Sequence, residues 1–347
     1  MKLFGRTFTR REIESRLPRI EAVGGVERLV IPSGPAAGVE FVRVRTGSGL
    51  EYVVNASRCL DIGLAEFAGV PISWHSPAGE VNPDRYDPRG LEWLRTAAGG
   101  LLMTCGLTQA GSPCEDAGES LGLHGRAHHT PARDVVAEGA WQGDDYNLRV
   151  AGTVEEARLF GEALRLRREI TGRLGESRLA IRDTIENAGF SPSPLMVLYH
   201  FNFGWPLMDE ATVVTFPSRR VVGREKELPT ADAGSFGAPQ RDYPERVYYH
   251  EDLKTDASGW AEARITNPRF PLAGGAGPVT VRLRWQTAAL TRLVQWKMPG
   301  IGVYVLGIEP ANCLVGGRAA ERARGTLATL DPGASVVHEL ELSVTAG

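Results

Sequence analysis

Three short motifs hold the residues best suited to chemistry. Glu309 follows the apolar run Val303-Tyr304-Val305-Leu306, inside Leu306-Gly307-Ile308-Glu309-Pro310-Ala311-Asn312. His124 lies in Gly122-Leu123-His124-Gly125-Arg126, and His200 in Tyr199-His200-Phe201-Asn202-Phe203-Gly204. Glutamate is seldom buried without a partner, and burial raises a carboxyl pKa toward the range useful to a general base. The competing reading of Glu309 is a structural ion pair with one of the arginines. One carboxylate gathered with two imidazoles makes an acid/base site, a combination that points to sugar-ring chemistry. Nothing else in the sequence selects a reaction.

The surroundings of the histidines sharpen this reading. Glycines beside His124 let the backbone approach a ligand and leave the imidazole uncrowded, although a loop histidine without a role fits the same pattern. His200 follows Leu195-Met196-Val197-Leu198-Tyr199 and is expected at the end of a strand, as a site residue or as a satisfied core histidine. His128 and His129 are expected to face solvent, while His75, His250 and His338 have no motif around them. Two histidines and a glutamate are also a conceivable zinc set, but their spacing is long-range and no H-x-x-x-H pair is present, so no metal is assigned. A serine hydrolase would need G-x-S-x-G, and a nucleotide site a P-loop or G-x-G-x-x-G after a strand; none occurs.

The elements that must position these groups read as strands. Val42 and Val44 alternate with Arg43 and Arg45, and Gly47-Ser48-Gly49 then turns into Tyr52-Val53-Val54, a hairpin signal. Val279, Val281, Leu283 and Trp285 alternate with polar residues, as do Leu340, Leu342 and Val344, the period of half-buried strands. Segments 163–172 and 178–187 pattern similarly. A capping box at Thr9-Arg10-Arg11-Glu12 starts a helical stretch over about 9–17, and Asp87-Pro88-Arg89-Gly90 leads into a short helix within a long connection. The 41 glycines and 22 prolines punctuate the whole chain rather than one linker. Many strands without a βαβ rhythm argue for a large antiparallel sandwich, read as a single domain over 1–347.

Bulk composition narrows the partners. In 347 residues, 42% are hydrophobic and 23% charged, with a net charge of -3, which leaves no basic footprint for nucleic acid. The four cysteines, Cys59, Cys105, Cys114 and Cys313, form neither a C-x-x-C pair nor a disulfide scaffold, and Cys105 and Cys313 read as small buried hydrophobes. With no apolar leader and no run approaching the roughly 20 residues of a membrane span, a cytoplasmic protein is expected.

The three motifs, in this order, resemble those of the galactose mutarotase-like (aldose 1-epimerase) superfamily: its L-H-G turn at Leu123-His124-Gly125, its second-histidine motif at His200-Phe201-Asn202-Phe203, and its C-terminal L-E-P at Glu309-Pro310. The chain is closer still to a bacterial branch long labelled a domain of unknown function. That branch's hallmarks include Ser57-Arg58-Cys59-Leu60-Asp61-Ile62-Gly63, Gly99-Gly100-Leu101-Leu102-Met103-Thr104-Cys105-Gly106-Leu107 and Gly307-Ile308-Glu309-Pro310-Ala311-Asn312. The resemblance, over about 5–345, implies an all-β antiparallel β-supersandwich with short peripheral helices and a concave face that receives a sugar.

It also implies roles. Glu309 would take the proton from the anomeric hydroxyl, His200 would protonate the ring oxygen, and His124 would hydrogen-bond the sugar. No cofactor would be needed, because the hemiacetal carries its own leaving group. Arg58, Asp61, Arg126, Asn202, Lys297 and Asn312 are the expected substrate-binding residues. Arg58 or Arg95 would stand in for the arginine of an N-R-I motif that the chain lacks, and Asp61 for the family's acidic sugar ligand. Arg126 and Lys297 together suggest an anionic sugar. Trp205 or Trp296 could stack on a sugar face or belong to the core. The expectation is thus a mutarotase or epimerase acting on a small carbohydrate as a monomer or homodimer. An isomerase acting on the open chain and a non-catalytic sugar binder are the rivals.

Overall fold

The computed structural model describes residues 1–347. Two large sheets dominate it. In one, eight strands run in the order Arg133–Gln142, Asp145–Ala157, Ala163–Arg173, Arg178–Asn187, Ser335–Ala346, Gly275–Gln286, Trp260–Leu272 and Val213–Thr215. The other contains Arg220–Gly223, Arg246–Glu251, Arg292–Gly300, Val303–Ala311, Leu198–Gly204, Leu102–Cys105, Asp61–Phe67, Leu50–Asn55, Glu40–Arg45 and Gly25–Val30, in that order. The pairings between these strands are antiparallel, as in the β-supersandwich expected.

Period-two patterning explains why the sheets pack. Val279, Val281, Leu283 and Trp285 are each at most 1% exposed, and burying side chains of this size stabilises by roughly 1.5–3 kcal/mol apiece. They share one core with Leu340 and Leu342 of the same sheet and with Val42, Val44, Phe201, Phe203, Leu306 and Ile308 of the other. The predicted hairpin is present as Glu40–Arg45 and Leu50–Asn55, and segments 163–172 and 178–187 are strands.

Helix is confined to short pieces. The Thr9 capping box forms with Glu12, but the helix covers only Arg10–Glu14 and is shorter than the expected 9–17. The stretch after Asp87 becomes a 3-10 turn over Glu92–Arg95, and a helix over Arg318–Arg324, ended by Gly325, had no clear sequence signal. No helix is long and apolar enough to cross a membrane.

Candidate functional site

Four adjacent strands of the larger sheet build the floor of the site. We label them in chain order β1 (Leu102–Cys105), β2 (Leu198–Gly204), β3 (Arg292–Gly300) and β4 (Val303–Ala311). In β2, Tyr199, Phe201 and Phe203 enter the intersheet core, so His200 projects to the opposite face. In β4, Leu306 and Ile308 do the same and leave Gly307 and Glu309 on the outer face.

Register brings the two candidate groups together. The pairs Leu198↔Ala311 and Phe201↔Ile308 bracket β2 and β4, and counting inward from either places His200 opposite Glu309. Met103 of β1 pairs with His200, and Val294 of β3 with Glu309, so Met103, His200, Glu309 and Val294 form one cross-strand row. The next row contains Asn202, Gly307 and Trp296.

His200 Nε2 lies 3.4 Å from Glu309 Oε1, and the two side chains are 9% and 2% exposed. Gly307 makes room for this approach. A Cβ at residue 307 would fall 2.6 Å from Glu309 Oε1, 2.9 Å from Trp296 Cβ and 3.2 Å from His200 Cε1. Burial, reinforced by the Glu245 carboxylate, pushes the Glu309 carboxyl up to about 8. Burial, with His124 nearby, pushes His200 down to about 3. His200 Nδ1 and Glu309 Oε1 are buried without a hydrogen-bond partner, as is Trp296 Nε1. Buried polar atoms of this kind carry a cost unless something satisfies them.

His124 enters from a loop above the floor. Its backbone N–H donates to Gly111 O at 2.8 Å, its carbonyl accepts from Gly106 N at 3.0 Å, and its φ is +56°. Gly125 must be glycine, because a Cβ there would fall 2.2 Å from Gln109 O and 2.5 Å from Gly106 O. Gly111 N–H donates to His124 Nδ1 at 3.3 Å, which leaves the ring proton of the neutral imidazole on Nε2 as a free donor. The His124 and His200 rings are 5.9 Å apart, and burial pushes His124 down to about 4.

These groups open onto a cavity of about 580 Å³ that includes Trp74, Trp93 and Trp296 in its lining. Trp296 stands edge-on to His200 with ring centres 5.5 Å apart, whereas Trp205 is 70% exposed and outside the lining. Arg224 and Glu245 join the wall, 3.1 Å apart as a salt bridge. No three His, Cys, Asp or Glu side chains converge as a metal-ligand set.

The other expected binding residues do not line the cavity. Lys297 lies on β3 beside the functional row, but on the odd-numbered positions that face away from Trp296; its Nζ donates to Asp232 O at 2.6 Å. Arg126 is exposed. Arg58 is buried and donates to Glu80 at 2.8 Å, while exposed Arg95 pairs with Glu92. Asp61 is consumed by structure: it accepts from Thr104 N and Oγ1, pairs with His128 Nδ1 at 2.7 Å, and accepts from Arg168 at 2.9 Å. Although burial works to raise its pKa, these partners hold it below the usual carboxylate value. Asn202 donates to Gly100 O and His200 O and so braces the β2 backbone, and Asn312 ties Val197 N to Leu195 O.

Further corrections concern the histidines. His128 and His129 are buried rather than solvent-facing: Asp61 holds the first, and Tyr86 stacks on the second at 4.0 Å. His200 is the third residue of its strand, not the end of one. Trp93, Arg224 and Glu245 were missed as site residues, because loop and edge positions have no periodicity to mark the face they present.

The family model described as "Domain of unknown function (DUF4432)" matches residues 36–344. The chain belongs to this family. The DUF4432 chain is also similar to solved structures. One, from Klebsiella pneumoniae subsp. pneumoniae and provisionally named an aldose 1-epimerase, is 24% identical with a TM-score of 0.83, over 92% of this chain and 83% of that one. The Slr1438 protein of Synechocystis sp. PCC 6803 is 17% identical with a TM-score of 0.64, over 89% and 96%. A galactose mutarotase-like protein from Clostridium acetobutylicum is 14% identical with a TM-score of 0.57, over 94% and 100%. These likenesses establish the galactose mutarotase-like fold of the DUF4432 chain. No curated protein matches it.

Proposed function

We propose that this protein is a carbohydrate mutarotase or epimerase that interconverts sugar anomers by acid/base ring opening. One observation carries the reading: His200 and Glu309 meet at 3.4 Å on the floor of a tryptophan-lined cavity, with His124 beside them. With Glu309 near 8 and His200 near 3, the pair holds a single proton across that interval. Resting on the carboxyl, that proton leaves both groups neutral; moved to the imidazole, it creates the base and the acid together. The proton count is the same in both arrangements, as in any coupled pair.

In the active arrangement the Glu309 carboxylate takes the proton of the anomeric hydroxyl while His200 delivers one to the ring oxygen. The C1–O5 bond breaks, its electron pair stays on O5, and C1 becomes an aldehyde. After rotation about C1–C2 the reverse transfers close the other anomer and restore the pair. The free Nε2–H of His124 donates to a sugar oxygen on which charge develops.

Exchange between anomers, followed by NMR on a panel of reducing sugars, tests the proposal. The wild type is expected to accelerate interconversion, and Glu309→Gln to lose turnover while still binding sugar. No acceleration with any sugar, or an unimpaired E309Q variant, sinks it. Solvent deuterium appearing at carbon would move the chemistry to the open chain.

A further inference from the structure

The cavity wall is selective in two respects that the acid/base floor does not require. The first is charge. Of the expected cations, Arg126 is exposed outside the cavity and Lys297 is turned to the other face of its strand. The arginine that does line the cavity, Arg224, is already engaged: its Nε lies 2.6 Å from Glu225 and its Nη2 3.1 Å from Glu245. An anionic sugar entering here would meet an occupied guanidinium, the Glu245 carboxylate and the Glu309 carboxyl. The wall offers negative charge no free cation.

The second is polarity. Beyond the His200–Glu309 floor, the lining includes Leu91, Leu94, Pro77, Ala78, Pro113 and Val303. Leu91 and Leu94 are 59% and 56% exposed, yet they flank buried Trp93 on the turn that walls the cavity. Single exposed leucines are ordinary, whereas two on the rim of one concave site, continuous with prolines and tryptophans, offer an apolar shelf. The volume of about 580 Å³ lies within the roughly 300–1,000 Å³ that houses drug-sized ligands, so a ring on the floor leaves the shelf free for more. A bare hexose would set its outer hydroxyls against carbon, which provides no hydrogen bonds.

We infer that the substrate is a neutral reducing sugar bearing an apolar aromatic substituent, of the benzyl kind, on the side of the ring away from the anomeric carbon. The floor works the hemiacetal, and the Leu91–Leu94 shelf holds the substituent. This rests on the ring-opening proposal for the catalytic step, but recognition of the substituent can be measured without turnover.

The test uses the full chain with D-glucose and D-galactose, their 4-O- and 6-O-benzyl derivatives, the matching uronates, and a neutral reducing disaccharide. Calorimetric binding and NMR anomer exchange are recorded for each. At least one benzyl sugar is expected to exceed its parent by about tenfold or more in affinity and in kcat/KM. The uronates should fall below their parents, and the combined Leu91→Ser/Leu94→Ser variant should bring the benzyl-to-parent ratio toward one. Benzyl and parent sugars binding alike, a uronate or the disaccharide binding tightest, or an unchanged ratio in the double variant overturns the inference. A change in oligomeric mass of that variant would also overturn it, by assigning the shelf to a second copy. If the substituent preference appears in binding while no sugar is turned over, the inference stands and the ring-opening proposal falls.

Discussion

His200 and Glu309 stand opposite one another on neighbouring antiparallel strands, with Nε2 and Oε1 3.4 Å apart. Their sequence separation is large, but strand register makes them neighbours as directly as a helical turn would. The pair sets the expected pH dependence. Below about 8 Glu309 keeps its proton, and above about 3 His200 lacks one, so the one-proton form fills the interval. Activity is expected to fall above pH 8 as that proton is lost. On the acid side it should fall near 4, where His124 becomes charged, and further near 3. A kcat/KM profile from anomer exchange checks this; a midpoint near 6.5 on the acid limb would contradict the buried histidines. E309Q should lower turnover by about 10²–10⁴-fold.

Gly307 is the second lever, because its missing side chain is what lets the pair approach. In Gly307→Ala the new Cβ meets Glu309 Oε1 at 2.6 Å and Trp296 Cβ at 2.9 Å, so Glu309 must swing aside and β3 must give slightly. We expect the variant to stay folded, to lose roughly 1–3 kcal/mol of stability, and to lose at least about tenfold in kcat. Denaturant melts beside exchange kinetics measure both. Full activity in this variant would mean that the close contact is dispensable.

How far the sequence foretold this site follows from which rules are local. Alternation marks a strand and its buried face, so Val279–Trp285 was legible; the apolar run 303–306 was legible as strand, but only Val305 and Leu306 are buried, while Val303 and Tyr304 stay half-exposed. The L-H-G and L-E-P resemblances singled out His124 and Glu309. Face parity could also have been applied to Lys297, since Trp296 and Lys297 cannot both point into one cavity, but which face holds the cavity is decided by the fold. Asp61 was misread for a different reason. Its partners Arg168 and His128 come from distant segments, and no local pattern distinguishes a carboxylate saturated inside the sandwich from one that awaits a sugar. Arg224 and Glu245 lie where chain pattern is weakest, and only the closed tertiary structure sets them beside Glu309.

Stability should respond to pH through Glu309 itself. Its folded pKa, about 8, is raised above the usual 4.5, so its contribution is complete below 4.5 and is lost as pH rises through 8. Glutamine cannot ionise and escapes that loss. E309Q is therefore expected to gain on the wild type from pH 5 to pH 8 and then hold its lead. The lead should reach on the order of 5 kcal/mol, because each tenfold difference in proton affinity between the folded and unfolded chain is worth about 1.4 kcal/mol. Urea unfolding at pH 5, 7 and 9 measures the trend. A gap that is constant with pH would show that the carboxyl is solvated in the folded protein.

Arg168 tests whether Asp61 belongs to the scaffold or to the ligand site. The Arg168 guanidinium is fully buried between Asp61, at 2.9 Å, and Asp183, at 2.6 Å, and Asp183 in turn accepts from Tyr199 Oη at 2.6 Å. Tyr199 is the residue before His200, so this network anchors the core side of the strand whose outer face carries the imidazole. Arg168→Leu strands two carboxylates in the core and should cost about 3–5 kcal/mol. Asp61→Asn keeps the hydrogen bonds to Thr104 Oγ1 and to its backbone N–H within reach, and should cost less. If Asp61 were a sugar ligand, D61N would raise KM strongly with little loss of stability. As a scaffold residue it should lower the unfolding midpoint and leave KM of the folded fraction within about twofold, well under the tenfold that 1.4 kcal/mol of lost binding would produce.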